Sequence, residues 1–204
     1  MGSVDPRDLE RIGGAACLDF VNTVDPRHAP GRVDYLPDYA ALLEWSVAND
    51  LLDRAGADRL ADIARQRPRT ARAVHRRALA LREALFVLLR RQPGGGHAAP
   101  LETLNAELSK ARRQELVDGN ADTFRSAWPP SPALDRALWP IASSAADLLT
   151  SPRLRRIREC EGEACGWLFL DTSKAGRRRW CSMADCGNRA KTDRRRALRQ
   201  VADV

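Results

Sequence analysis

Four cysteines, Cys160, Cys165, Cys181 and Cys186, fall within a stretch of 27 residues and form two pairs with the same internal spacing. Thiolates are the preferred structural ligands of zinc, and four of them close a tetrahedral shell that leaves no position for water or substrate. A metal held in this way builds structure and does no chemistry. Four residues separate the members of each pair, wider than the two-residue gap of the commonest knuckles, so the inference rests on pairing and symmetry. Two disulfides, an iron–sulfur cluster and inert core thiols are the alternatives. The fifth thiol, Cys17, stands apart in an apolar stretch and reads as a small buried hydrophobe.

The second pair needs an element to hold it. Ser182-Met183-Ala184-Asp185 reads as a capping box, with Cys181 just before the cap and Cys186 in the first helical turn, where a hydrophobic staple would otherwise sit. Gly162 and Gly166 allow the first pair to form a tight knuckle. Trp167 to Leu170 is then predicted as a strand and Arg178-Arg179-Trp180 as its partner, giving a treble-clef-like order of knuckle, β-hairpin and helix. At about 100° per residue, Cys186, Ala190, Ala197, Leu198 and Val201 share one stripe of that helix. Asn188, Thr192, Arg195, Arg196 and Arg199 lie opposite, with Arg189 on the flank. Arginine forks to guanine or phosphate and asparagine pairs with adenine, so this face has the chemistry of a DNA-binding surface. A merely solvated basic helix is the plain alternative.

These residues carry a resemblance. Cys186-Gly187-Asn188-Arg189, preceded by Arg179-Trp180-Cys181-Ser182-Met183 and followed by Lys191, is similar to the signature of the CGNR zinc-finger family. Gly13-Gly14 running into Leu18-Asp19-Phe20-Val21-Asn22-Thr23, with Trp45 before Leu51-Leu52, resembles the ABATE domain that precedes such fingers. The resemblance implies zinc at Cys160, Cys165, Cys181 and Cys186, and a bacterial transcription regulator whose finger binds DNA; Arg189 and Lys191 join the helix face as candidate contacts to double-stranded DNA.

Charge is unevenly placed. The net charge is +7, and residues 151–204 contain 14 Lys and Arg against 7 Asp and Glu, so residues 1–150 are balanced. Excess charge of one sign on one module steers it toward a polyanion. Arginine far outnumbers lysine everywhere, so the location of the arginines carries the argument, not their identity. The longest apolar run, Ala84 to Leu89, is too short to span a bilayer, and the first residues lack a signal peptide's pattern. A cytoplasmic protein is expected, and a reducing compartment favours metal thiolates over disulfides.

The fold predicted is mainly α with a small β-hairpin: a helical domain over 1–150 and the finger over 151–204, divided at Thr150-Ser151-Pro152. Residues 1–12 read as a poorly ordered lead-in, and Pro26 to Tyr35 as loop. Helices are expected over Leu36–Leu52, Asp58–Arg65, Pro68–Arg91, Leu101–Arg112 and Pro132–Leu149, from apolar residues recurring at three and four. A glycine loop at Pro93–Gly96 and a hairpin turning at Asp118-Gly119-Asn120 separate them. Arg153 to Arg158 alternates as an edge strand or extended arm. Asp19, Asn22 and Thr23 are polar groups in apolar surroundings and need partners; they either tie the fold internally or, with Trp45, line an effector pocket.

The histidines, His28, His75 and His97, are scattered through the first domain, whereas treble-clef nucleases need one beside the metal, so no enzyme is expected. A single finger gives weak specificity, which points to a homodimer. Two other classes compete: a thiol redox sensor that releases zinc on oxidation, and an RNA- or protein-binding zinc module. The finger alone is too small to fold without its metal, so chelation is expected to unfold it and spare the helical domain.

Overall fold

The computed structural model describes residues 5–90 and 96–202, the side chains of 197–202 excepted. The readings placed on Ala197, Leu198, Arg199 and Val201, and on Pro93 to Gly95 of the glycine loop, therefore lie outside the described residues. A 3-10 turn, Pro6–Asp8, occupies part of the expected lead-in, and Leu9 packs on the core beyond it. Helix α1 (Ala16–Val21) follows and is buried on every side; Cys17, Leu18, Phe20 and Val21 have no exposed surface. Strands β1 (Val24–Asp25) and β2 (Val33–Asp34) pair antiparallel, a short ladder inside the stretch read as loop.

Aspartates start the next two helices. Asp38 accepts the Ala41 N–H at 2.8 Å to open α2 (Tyr39–Ala48), and Asp53 accepts the Gly56 N–H at 2.7 Å to open α3 (Arg54–Gln66). The first is shorter than its apolar pattern, because Leu36 and Leu52 are buried from the flanking turns. Pro68, with no N–H to lose, begins α4 (Pro68–Arg90). Its predicted stripe of Ala71, Val74, Ala78, Leu81, Leu85, Leu88 and Leu89 is buried throughout. Then come α5 (Ala98–Gln114) and the predicted hairpin, β3 (Leu116–Gly119) against β4 (Phe124–Ala127), which turns at Asn120 to Thr123, while Asp118 and Gly119 of the expected turn are paired in β3. A 3-10 segment, Leu134–Leu138, precedes α6 (Trp139–Leu149), where a single helix was expected; Pro140 fits only a first turn, so α6 starts there.

The finger departs from its predicted order in one respect. β5 (Ile157–Glu159) pairs antiparallel with β6 (Leu168–Leu170), Ile157 opposite Leu170, and the ladder continues as Cys160 N–H donates to the Trp167 carbonyl at 2.8 Å. The knuckle is thus the hairpin's own turn. Arg178-Arg179-Trp180, expected as the partner strand, is irregular and gives a single backbone bond, Glu161 N–H to the Arg179 carbonyl. Residues 152–156 form a 3-10 turn and only Ile157 onward is strand, because Pro152 starts that turn. Helix α7 (Asn188–Ala202) closes the chain behind a π turn at Met183–Gly187.

One core serves both parts. Ile157, Leu168 and Leu170 of the finger belong to the same apolar cluster as α1, α2, α4 and α6. At the seam Asn22 imitates a strand, its Nδ2 donating to the Leu168 carbonyl at 2.8 Å and its Oδ1 accepting the Leu168 N–H at 2.9 Å. Leu170 N–H donates to the Gly13 carbonyl, Arg27 N–H to that of Cys165 and His28 N–H to that of Ala164.

Candidate metal centre and basic helix

The four predicted thiols converge. The Sγ atoms of Cys160, Cys165, Cys181 and Cys186 lie within 4.8 Å of one another and all four residues are buried. Cys165 and Cys181 sulfurs are 3.7 Å apart, and those of Cys181 and Cys186 3.6 Å. Metal–sulfur bonds of about 2.3 Å at tetrahedral angles put neighbouring sulfurs roughly 3.8 Å apart, so the edges fit one ion. They are far too long for disulfides, whose bond is about 2.05 Å.

Electrostatics agree with the distances. Backbone N–H groups of Gly162 and Cys181 point at the Cys160 sulfur, at 3.4 and 3.3 Å. Hydrogen bonds from the Cys165 and Cys181 thiols hold Cys160 far below its ordinary ionisation range, while Cys181 is pushed far above it by Cys160 and Cys165. Four sulfurs this close cannot all ionise without a cation among them, and a divalent ion supplies the missing charge.

Local chain geometry explains the convergence. Gly166 adopts φ +68°, and a Cβ there would lie 2.5 Å from the His28 ring, so both the turn and the close approach of the first domain require glycine. Ser182 Oγ accepts the Asp185 N–H at 3.4 Å as expected, but the Asp185 carboxylate does not reach back to complete the box; it pairs with Arg189 at 2.9 Å. Arg178, read as a strand residue, clamps the second pair. Its guanidinium lies 4.4 Å over Phe169 and donates to the carbonyls of Trp180 and Cys181.

The basic helix leaves the body. Lys191, Thr192, Arg195 and Arg196 are exposed, as is every residue from 191 to 196, and of the expected buried stripe Cys186 is buried and Ala190 half-buried. Asn188 is exposed but bonds back to the Ala184 carbonyl at 3.0 Å, and Thr192 bonds to that of Asn188 at 3.0 Å. The side chains of Lys191, Arg195 and Arg196 make no hydrogen bond or ion pair with any described residue.

Asp19, Asn22, Thr23 and Trp45 are all engaged inside the fold. Asp19 Oδ1 accepts the Gly13 N–H at 2.7 Å, Asn22 holds Leu168, Thr23 Oγ1 donates to the Phe20 carbonyl at 2.8 Å and accepts from Arg82 at 3.1 Å, and Trp45 packs on Phe20. Asp19, Asn22 and Thr23 are internal ties, each bonded to a partner within the protein as a buried polar side chain requires. Burial raises the Asp19 carboxyl to about 6.

Sequence reasoning missed the residues of the seam. His28, read as an isolated loop histidine, contacts Glu159 at 2.5 Å, and Glu159 also takes Arg90 at 2.7 Å. Arg27 is buried, bonding Glu83 at 2.8 Å and the Val21 carbonyl at 2.6 Å, with Phe86 4.1 Å beneath it. Their partners lie 56 to 131 positions away where the separation exceeds local range, and no local spacing signals that.

Comparison with known families agrees with this architecture. Residues 14–152 match the ABATE family, described as "Putative stress-induced transcription regulator", and residues 156–199 match the CGNR zinc finger. Neither is an enzyme family. No curated protein matches the chain. No helix among the described residues is long and apolar enough to cross a membrane. With 14–152 matched over most of its length and a buried four-cysteine cluster behind it, the chain belongs to the ABATE family and ends in a CGNR zinc finger.

Proposed function

We propose that this chain is a cytoplasmic, DNA-binding transcription regulator whose four cysteines hold a structural zinc ion, with the first domain serving dimerisation and effector sensing. The observation that carries the reading is α7: a helix rooted in the metal centre, exposed from 191 to 196, with Lys191, Arg195 and Arg196 uncommitted to any described acid. Phosphate contacts of this kind supply salt-dependent affinity, and Asn188, once released from the Ala184 carbonyl, is the group able to read a base edge. Zinc contributes on the order of 10 kcal/mol to holding the helix root in place. Trp167 is buried and Trp180 half-buried beneath Arg179, 4.9 Å from the ring, so the finger offers no stacking platform of the sort single strands need.

Fluorescence anisotropy with labelled duplex DNA, single-stranded DNA and RNA at two salt concentrations tests this. Duplex is expected to bind most tightly and to weaken steeply with salt; preference for RNA or single strands would contradict the reading. The redox alternative rests on one feature, a cavity of about 330 Å³ that borders Cys165, Cys181 and Cys186 and gives a small oxidant a route to the sulfurs. Zinc release by dilute hydroperoxide, with DNA binding lost in parallel, would favour it.

A further inference from the structure

Between α3 and the segment that leads into α6 lies a second cavity, of about 240 Å³, lined by Leu52, Leu60, Trp128, Ser131, Arg59 and Arg136 among others. Arg136 sits between two indoles, 5.7 Å from Trp128 and 5.6 Å from Trp139, and its Nη2 donates to the Trp128 carbonyl at 3.2 Å. Its Nη1 is buried with no acceptor. A guanidinium keeps its charge under any ordinary condition, so an unmet buried N–H of this kind is a standing penalty that an acceptor would relieve. The side chain of Arg59, at the cavity's exposed edge, makes no hydrogen bond or ion pair with any described residue. Two acids also line the cavity: Asp50 accepts from Arg11 at 2.6 Å, and Asp53 accepts the Gly56 N–H at 2.7 Å while its charge acts on Arg136. Two guanidiniums, one with an unmet Nη1 and one with a free side chain, therefore line a space whose other walls carry Leu52, Leu60, Trp128 and Ser131 along with Asp50 and Asp53.

We infer that this cavity binds a small organic carboxylate, its charged end between Arg136 and Arg59 and its apolar body against Trp128, Leu52 and Leu60. This deepens the effector half of the reading above and moves the effector site away from Asp19, Asn22, Thr23 and Trp45. Charge-assisted hydrogen bonds from arginine fix the carboxylate, and the apolar patch of Leu52, Leu60 and Trp128 offers an organic body contacts that an inorganic anion lacks. A ligand here touches both α3 and the chain entering α6, the helix that packs on α1 at the seam with the finger.

Benzoate is the probe, with benzamide as its neutral counterpart and inorganic phosphate as an anion without an apolar body. Binding to the zinc-loaded full chain is followed by tryptophan fluorescence and by thermal shift, with no DNA present, so the outcome is independent of whether the helix binds duplex. Benzoate is expected to bind saturably and at least about tenfold more tightly than benzamide or phosphate. Arg136→Gln should abolish this. Arg59→Gln, at an exposed position that does not threaten folding, should weaken it severalfold and decides the matter if the first variant unfolds. No saturable benzoate binding, equal binding of benzamide or phosphate, or an affinity unchanged in Arg59→Gln would overturn the proposal.

Discussion

At the scale of single residues, partners decide roles that residue types leave open. Asp19 lies in the short buried helix α1 and Asn22 caps its end, yet one braces Gly13 six positions back and the other grips Leu168, 146 positions away. That these polar groups need partners is legible in the sequence; which partners they take is not, because hydrogen bonds at long range leave no local spacing. The thiols are the opposite case, since both pairs and the glycines that bend the chain between them are near neighbours. Asp19 yields a pH prediction. Its carboxyl ionises near 6 when folded, against 3.8 for the free group, so between those values the folded state binds more protons than the unfolded chain. Its contribution to stability therefore falls as pH rises through that window, by about 3 kcal/mol in all. Asp19→Asn keeps the acceptor for Gly13 and removes the titration. Measured by urea unfolding, the variant's stability relative to wild type should rise by up to this amount between about pH 4 and about pH 7; a difference that does not move with pH would show that the carboxyl is not desolvated.

At the scale of elements, periodicity found the helices and burial trimmed them. The stripe of α4 is as long as its pattern because the chain runs on without a break, whereas α2 stops short of its apolar flanks. β5 and β6 pair because the knuckle between them is a tight turn, and the run Arg178 to Trp180 is free to wrap the metal centre instead. The β3–β4 hairpin stands out as a two-stranded ribbon with Val117 75% and Phe124 76% exposed. Isolated hairpins are marginal in water, and residues 117, 119, 124 and 126 share one face of the ribbon. We propose this face as the contact surface of the expected homodimer. Phe124→Asp should shift the protein from dimer to monomer in analytical ultracentrifugation while leaving its helical signal intact; a variant that stays dimeric would place the interface elsewhere.

At the scale of the whole molecule, the two family segments meet in one core, which the change in charge and composition at residue 151 does not reveal. A boundary in sequence is a place where few residues look alike on either side; a boundary in packing requires that few contacts cross, and Ile157, Leu168 and Leu170 cross it. The expectation that chelation spares the helical domain changes accordingly. Removing zinc should loosen β5–β6, expose those three side chains and lower the melting temperature of the whole helical signal by several degrees, roughly what a loss of a few kcal/mol does in a domain of this size. A helical melt indifferent to chelator would mean that the first domain stands alone.

The claim that the metal-rooted helix binds duplex DNA through its uncommitted cations is tested most directly by titrating zinc-loaded wild type, Arg195→Ala and Arg196→Ala against one duplex over a range of salt concentrations. Each substitution is expected to weaken binding and to reduce the slope of log affinity against log salt by about one. Affinities and slopes equal to wild type in both variants would show that α7 is not the DNA-binding element.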